Sequence, residues 1–272
     1  MSPRSPPPSY ENLVAEYGSG AFFELANARA FAYDGGLVIE QEQNVENSCG
    51  GIVWESAFCL ARYLERIDGL FSRRRRGRGR REQSSKSGAG DGRRRVRCVE
   101  LGCGCGLLGL TLALRFRGVD MTLTDQERVL ASVTRSNVAK NRELYDKAKR
   151  AAPRVMALDW EIPEELDAVR AAGPYDVVLG TDVIFSVSLV PALIRSIEST
   201  LKKKKTSVCY VCVQRRSADA HAEFLKLANE KFDIDEIDKE EVQFTEDDEC
   251  EIFELRWRKD DLEEEKKRKR DS

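Results

Sequence analysis

The run Glu100-Leu101-Gly102-Cys103-Gly104-Cys105-Gly106-Leu107-Leu108-Gly109 limits what this chain can fold into more than any other feature. A strand-like apolar segment, Val96 to Leu101, leads into it, and a helix-like one, Leu107 to Phe116, leads out. Glycines at such a junction let backbone amides approach a ligand at the carboxyl edge of a sheet, beside a helix N-terminus. The spacing G-x-G-x-x-G is present at Gly104, Gly106 and Gly109. Dinucleotide sites share that spacing, and alone it decides nothing.

The rest of the chain repeats the strand–helix alternation. Strands are expected at Asp120 to Thr124, Arg154 to Leu158, Tyr175 to Gly180 and Ser207 to Val213. Between them lie helical stretches at Glu127 to Asn141, Pro163 to Ala172 and Leu189 to Leu201, and a further one at Ala218 to Glu230. Two more strands, Phe232 to Ile237 and Glu251 to Trp257, have no helix between them and should form an antiparallel edge pair. The expected fold is therefore α/β: a doubly wound, Rossmann-like seven-stranded sheet, mostly parallel, with an antiparallel edge pair. Upstream, Ala30 to Gln41 predicts a hairpin around Asp34-Gly35-Gly36. Ile52 to Leu70 predicts a helix with an apolar face.

Charge divides the 272 residues further, although 45 basic and 47 acidic groups nearly cancel. Residues 73 to 97 hold eleven Arg and Lys86 against only Glu82 and Asp91, with no apolar periodicity. The expected organisation is a disordered Pro/Ser-rich N-terminus (1–20), a hairpin and helix packed on the core (21–71), a disordered basic insert (72–95), the core (96–258) and a charged tail (259–272). No apolar run is long enough to cross a membrane, and Met1 to Ser9 lacks the apolar stretch of a secretory signal. Eight cysteines then point to a reducing compartment, the cytoplasm, with the basic run Lys266 to Arg270 leaving a nuclear location open. The single histidine, His221, is expected on an exposed helix face. No metal ligand set is expected, because Cys209 and Cys212 sit within a strand with no second pair.

Two carboxylates and an indole bear on the ligand. Glu100, two residues before the first glycine, would repel a diphosphate but attract an ammonium. Leu158-Asp159-Trp160 ends the third strand with a carboxylate for an adenine amine and a ring face for the base. Together they favour S-adenosyl-L-methionine over a nicotinamide dinucleotide, whereas Asp125 could hold the ribose of either.

These segments, with Gly51-Ile52-Val53-Trp54-Glu55 and the stretch Val178 to Phe185, resemble the seven-β-strand, S-adenosylmethionine-dependent protein-lysine methyltransferases. That group modifies chaperones, AAA ATPases such as valosin-containing protein, elongation factors and calmodulin. The resemblance runs from Phe31 to Arg258, the basic insert excepted. It implies that Trp54 contacts the cofactor and that Gly102, Cys103 and Gly104 form an amide cradle. It places Asp125 at the ribose, Asp159 and Trp160 at the adenine, and Thr181 beside the methionine part. The sequence departs from the family pattern at Thr181, where a smaller residue is usual, and at Phe185, where Tyr is usual.

Methyl transfer from a sulfonium needs alignment and a neutral amine more than covalent help. Asp182 is expected to orient the lysine amine, and Phe185 to wall its channel with a ring face; both are taken as catalytic. A helix cap at Asp182 is the structural alternative. The implied partner is a protein bearing the target lysine, acted on by a monomer. Nucleic acid binding through the Arg-rich insert is not favoured, since the insert lacks interleaved aromatics. The competing readings are a related enzyme acting on RNA or a small molecule, and a catalytically weak adaptor with the same fold.

Overall fold

A computed structural model describes residues 7–17, 21–45, 49–67, 70–71, 95–242 and 249–268. The expected disordered basic insert thus falls, but for Arg95, outside the described residues.

Among the described residues, seven strands form one sheet: β3 (Val96–Leu101), β4 (Val119–Asp125), β5 (Arg154–Ala157), β6 (Val177–Thr181), β7 (Val208–Gln214), β8 (Phe232–Glu236) and β9 (Cys250–Trp257). Their order is β5-β4-β3-β6-β7-β9-β8. The first five are parallel; β9 runs antiparallel to both β7 and β8. The chain leaves β3 toward β4 and returns on its other side as β6. That reversal opens a crevice at the carboxyl ends of β3, β4 and β6, where an open α/β sheet binds its ligand.

Alternation along the strands explains why the sheet is covered on both faces. In β7, Val208, Tyr210 and Cys212 join one apolar cluster, while Cys209, Val211 and Val213 join the other. The first cluster includes residues of α3 (Glu55–Arg66) and α4 (Leu107–Arg115); the second takes in α9 (Val190–Thr200) and α10 (Ala218–Asn229). Each fully buried aliphatic side chain here contributes roughly 1.5–3 kcal/mol.

The hairpin forms as expected, with β1 (Ala30–Tyr33) paired to β2 (Leu37–Glu40). What holds it to the core was not apparent beforehand. Asn141 Oδ1 accepts from the Val38 amide at 2.9 Å and its Nδ2 donates to the Val38 carbonyl at 2.8 Å. Asn137, one helical turn earlier, does the same at Glu40, at 2.8 and 3.0 Å. Two amide side chains thereby replace a neighbouring strand along the edge of β2.

Two expectations need correction. Residues 10–17, assigned to a disordered N-terminus, form the helix α1 (Tyr10–Tyr17). Its Tyr10 ring stacks on Phe58 with centroids 4.3 Å apart, and that contact gives a short polar segment something to bury. His221 is not exposed: it is buried on α10, its ring 5.5 Å from that of Phe253 and its Nε2 3.0 Å from Glu251 Oε2.

Candidate active site

The glycine turn begins where β3 ends. Gly104 has φ +52°, and a Cβ there would lie 2.9 Å from the Gly50 carbonyl oxygen. Only glycine meets both demands. Gly109 serves helix packing: its Cβ would fall 2.3 Å from Leu123 Cδ2. The turn is fixed from both ends of its third residue. Asp125 Oδ2 accepts from the Gly104 amide at 2.8 Å, and Thr134 Oγ1 donates to the Gly104 carbonyl at 2.7 Å. Thr134 closes a π-helical turn, Leu130–Thr134, a local widening of the helix that recurs at functional sites.

A cavity of about 430 Å³ opens over this turn. Gly102, Cys103 and Gly104 form one wall, with Asp125, Asp159 and Trp160 beside them. Trp54, Thr181, Asp182 and Phe185 line the same cavity. Ten of the eleven residues singled out in the sequence therefore face one space.

Glu100 is the exception, and its assignment to the cavity is corrected. Its side chain points away from the cavity, beneath α4, where Oε2 accepts from the Gly109 amide at 2.9 Å. Only 1% exposed, its carboxyl is pushed up to about 8 by burial, so it is largely uncharged at neutral pH and offers little to an ammonium. It ties β3 to the first turn of α4 instead.

Electrostatics then separates the remaining carboxylates. Burial pushes Asp125 up to about 6, despite amide donors from Gly104 and Gln126 at 2.8 Å each. Asp159 Oδ2 accepts from Gln126 Nε2 at 2.7 Å, which links the ends of β4 and β5. The Trp160 ring lies near Gly102, where an added Cβ would meet its Cζ2 at 3.4 Å. A carboxylate at each of two strand ends, a flat aromatic face and a cradle that any side chain would fill suit an adenosine bearing a cationic tail.

Asp182 is the most constrained residue of the site. It follows β6 with φ +52°, a left-handed conformation that Asp, Asn and Gly tolerate best. The expected helix-capping alternative is not seen: Asp182 Oδ1 instead accepts from the Gln214 amide at 2.9 Å, across to β7. Oδ2 receives Arg216 Nη2 at 3.0 Å, and the Asp182 side chain is 5% exposed. Phe185 stands at the cavity mouth and is 52% exposed.

Arg216 was missed in the sequence. Its guanidinium also lies over the Trp54 ring, 4.3 Å from the centroid, and it lines the cavity. The signal was there, because Gln214-Arg215-Arg216 directly follows a parallel strand at the sheet's carboxyl edge.

Residues 34–231 match the profile of a family described as lysine methyltransferase. The chain belongs to the lysine methyltransferase family. The matched stretch contains every cavity residue named above, from Trp54 to Arg216. One curated relative is the protein N-lysine methyltransferase METTL21A of Danio rerio, 31% identical over 130 residues. That alignment covers 48% of this chain and 54% of the relative, so the chain spans about half the length of the curated relative it matches. Among solved structures, an O-methyltransferase family protein from Burkholderia thailandensis superposes with a TM-score of 0.50 at 10% identity, covering 74% of this chain and 56% of that one. At that identity the likeness concerns the fold, which is the α/β sheet expected from the sequence.

Proposed function

We propose that this protein is an S-adenosyl-L-methionine-dependent protein-lysine N-methyltransferase acting on a non-histone protein. The observation that carries the proposal is one cavity joining the glycine turn and the Asp159–Trp160 wall to the Asp182 carboxylate behind an exposed Phe185. Membership of the lysine methyltransferase family supports it.

When bound, S-adenosylmethionine supplies a methyl group on a sulfonium sulfur. The chain's own work is placement. Asp125 and Asp159 offer acceptors to hydroxyl and amine groups, and the Trp160 ring offers a flat face. Asp182 attracts the lysine ammonium, which displaces Arg216 from Oδ2; the guanidinium keeps its seat on Trp54. The amine must lose its proton to water before its lone pair attacks the methyl carbon, since no histidine lines the cavity. With the donor bound, the methyl would pass in line from its sulfonium sulfur to the amine, and Phe185 bounds the channel that would hold this alignment.

The proposal extends to a monomeric enzyme of the cytoplasm, with a nuclear location left open. The location rests on two features of the sequence: eight cysteines without a secretory signal, and a basic run at 266–270. Among the described residues no helix is long and apolar enough to cross a membrane.

The test is to incubate the protein with tritiated S-adenosylmethionine and a cell extract. Label that resists RNase and is removed by protease is expected. Label removed by RNase would move the assignment to an RNA-modifying enzyme, and binding without transfer would favour an adaptor.

A further inference from the structure

Three cysteines far apart in sequence meet behind the active site. Cys59 comes from α3, Cys212 from β7 and Cys250 from the first position of β9. All three are buried, and their Sγ atoms lie within 4.8 Å of one another. We propose that Cys59, Cys212 and Cys250 form a three-thiolate site for a soft, thiophilic cation.

The geometry needs little adjustment. A cation bonded to three sulfurs at about 2.3 Å spaces them roughly 4.0 Å apart. Closing the observed triangle moves each sulfur by at most about half an ångström, within the give of a Cys rotamer. The C-x-x-C spacing at Cys209 and Cys212 plays no part. Residues three apart on a strand face opposite sides, and Cys209 belongs to the cluster on the other face of the sheet.

The donor set selects the class of ion. Thiolates prefer soft, closed-shell cations to magnesium or calcium. Such a cation displaces the thiol protons as it binds.

The site is wired to Asp182 through the backbone. The Cys212 carbonyl accepts from the Asp182 amide at 2.9 Å. Cys250 is registered opposite Gln214, whose amide donates to Asp182 Oδ1. An ion bonded to both cysteines would clamp the two strand ends that hold the carboxylate. It would also tether α3, which begins immediately after Trp54.

The test uses the full chain, stripped with chelator and kept reduced by a phosphine, titrated with Cd2+. A thiolate-to-cadmium charge-transfer band saturating at one equivalent is expected, with a rise in melting temperature. Cys49→Ser, which removes the exposed cysteine, should keep the band; Cys59→Ser and Cys250→Ser should lose it. A second measurement covers variants that do not fold. Cd2+ added to the wild type should shield Cys59, Cys212 and Cys250 from alkylation, read by mass spectrometry. No band, a band that survives Cys250→Ser, or protection falling on Cys103 and Cys105 instead would overturn the site.

Discussion

Replacing Asp182 by Asn isolates the charge of the carboxylate from its structural duties. Asn tolerates the left-handed backbone at φ +52°, and its carbonyl can still accept from the Gln214 amide. What disappears is the ion pair to Arg216 at 3.0 Å. Because the Arg216 side chain is 37% exposed, solvent screens that pair, and its loss costs about 1 kcal/mol or less. For a chain of this size the melting temperature should then fall by only about 2–4 °C. Methyl transfer should fall far more. An oriented charge facing a desolvated reacting group contributes roughly 3 kcal/mol, which corresponds to about two orders of magnitude in rate. Single-turnover transfer to the labelled acceptor, measured beside a thermal melt and cofactor titration, separates the two effects. Retained transfer would refute the lysine-orienting role, and a melting temperature lowered by tens of degrees would make Asp182 a structural residue.

Other consequences follow from the same geometry. Gly104→Ala should lose about 1–2 kcal/mol from the left-handed backbone alone, plus the clash with Gly50, and should bind S-adenosylmethionine much more weakly. Gly35→Ala is the control, since φ is +70° there but nothing lies within 4 Å of the added carbon; equal effects in chemical denaturation would contradict the close approach. Glu100 titrates near 8 when folded and near 4.5 in an unfolded chain. The folded state therefore holds the extra proton, and stability should decline as pH rises from about 4.5 through 8. Glu100→Gln keeps an acceptor for the Gly109 amide and should flatten that decline, so an unchanged pH–stability slope would count against the burial argument.

How much could be read in advance varied with the kind of interaction. The seven strands and their antiparallel edge were legible because a sheet covered on both faces needs apolar runs of a fixed length, and β7 supplies six buried residues in a row. The glycine turn was legible because the constraint is local. Glu100 was misplaced because sequence position gives its distance from the turn but not the side of the strand it faces. His221 was misplaced because Glu251, its half-buried partner, lies thirty residues away on another element. The Asn137–Asn141 brace escaped for a related reason: it acts across the fold, where spacing in sequence carries no signal. The three-cysteine cluster is the extreme case, assembled from positions 59, 212 and 250.

The central claim is that the Asp182 carboxylate delivers a lysine amine to a methyl donor seated over the glycine turn. The most direct measurement is the chemical identity of the methylated product. Protein labelled by the wild-type enzyme should be hydrolysed to amino acids and separated against methylated lysine, arginine and histidine standards, beside a reaction run with Asp182→Asn. The account predicts label on the ε-nitrogen of lysine, reduced about a hundredfold in the variant. Label on any other residue, or equal methyl-lysine from both enzymes, would contradict it.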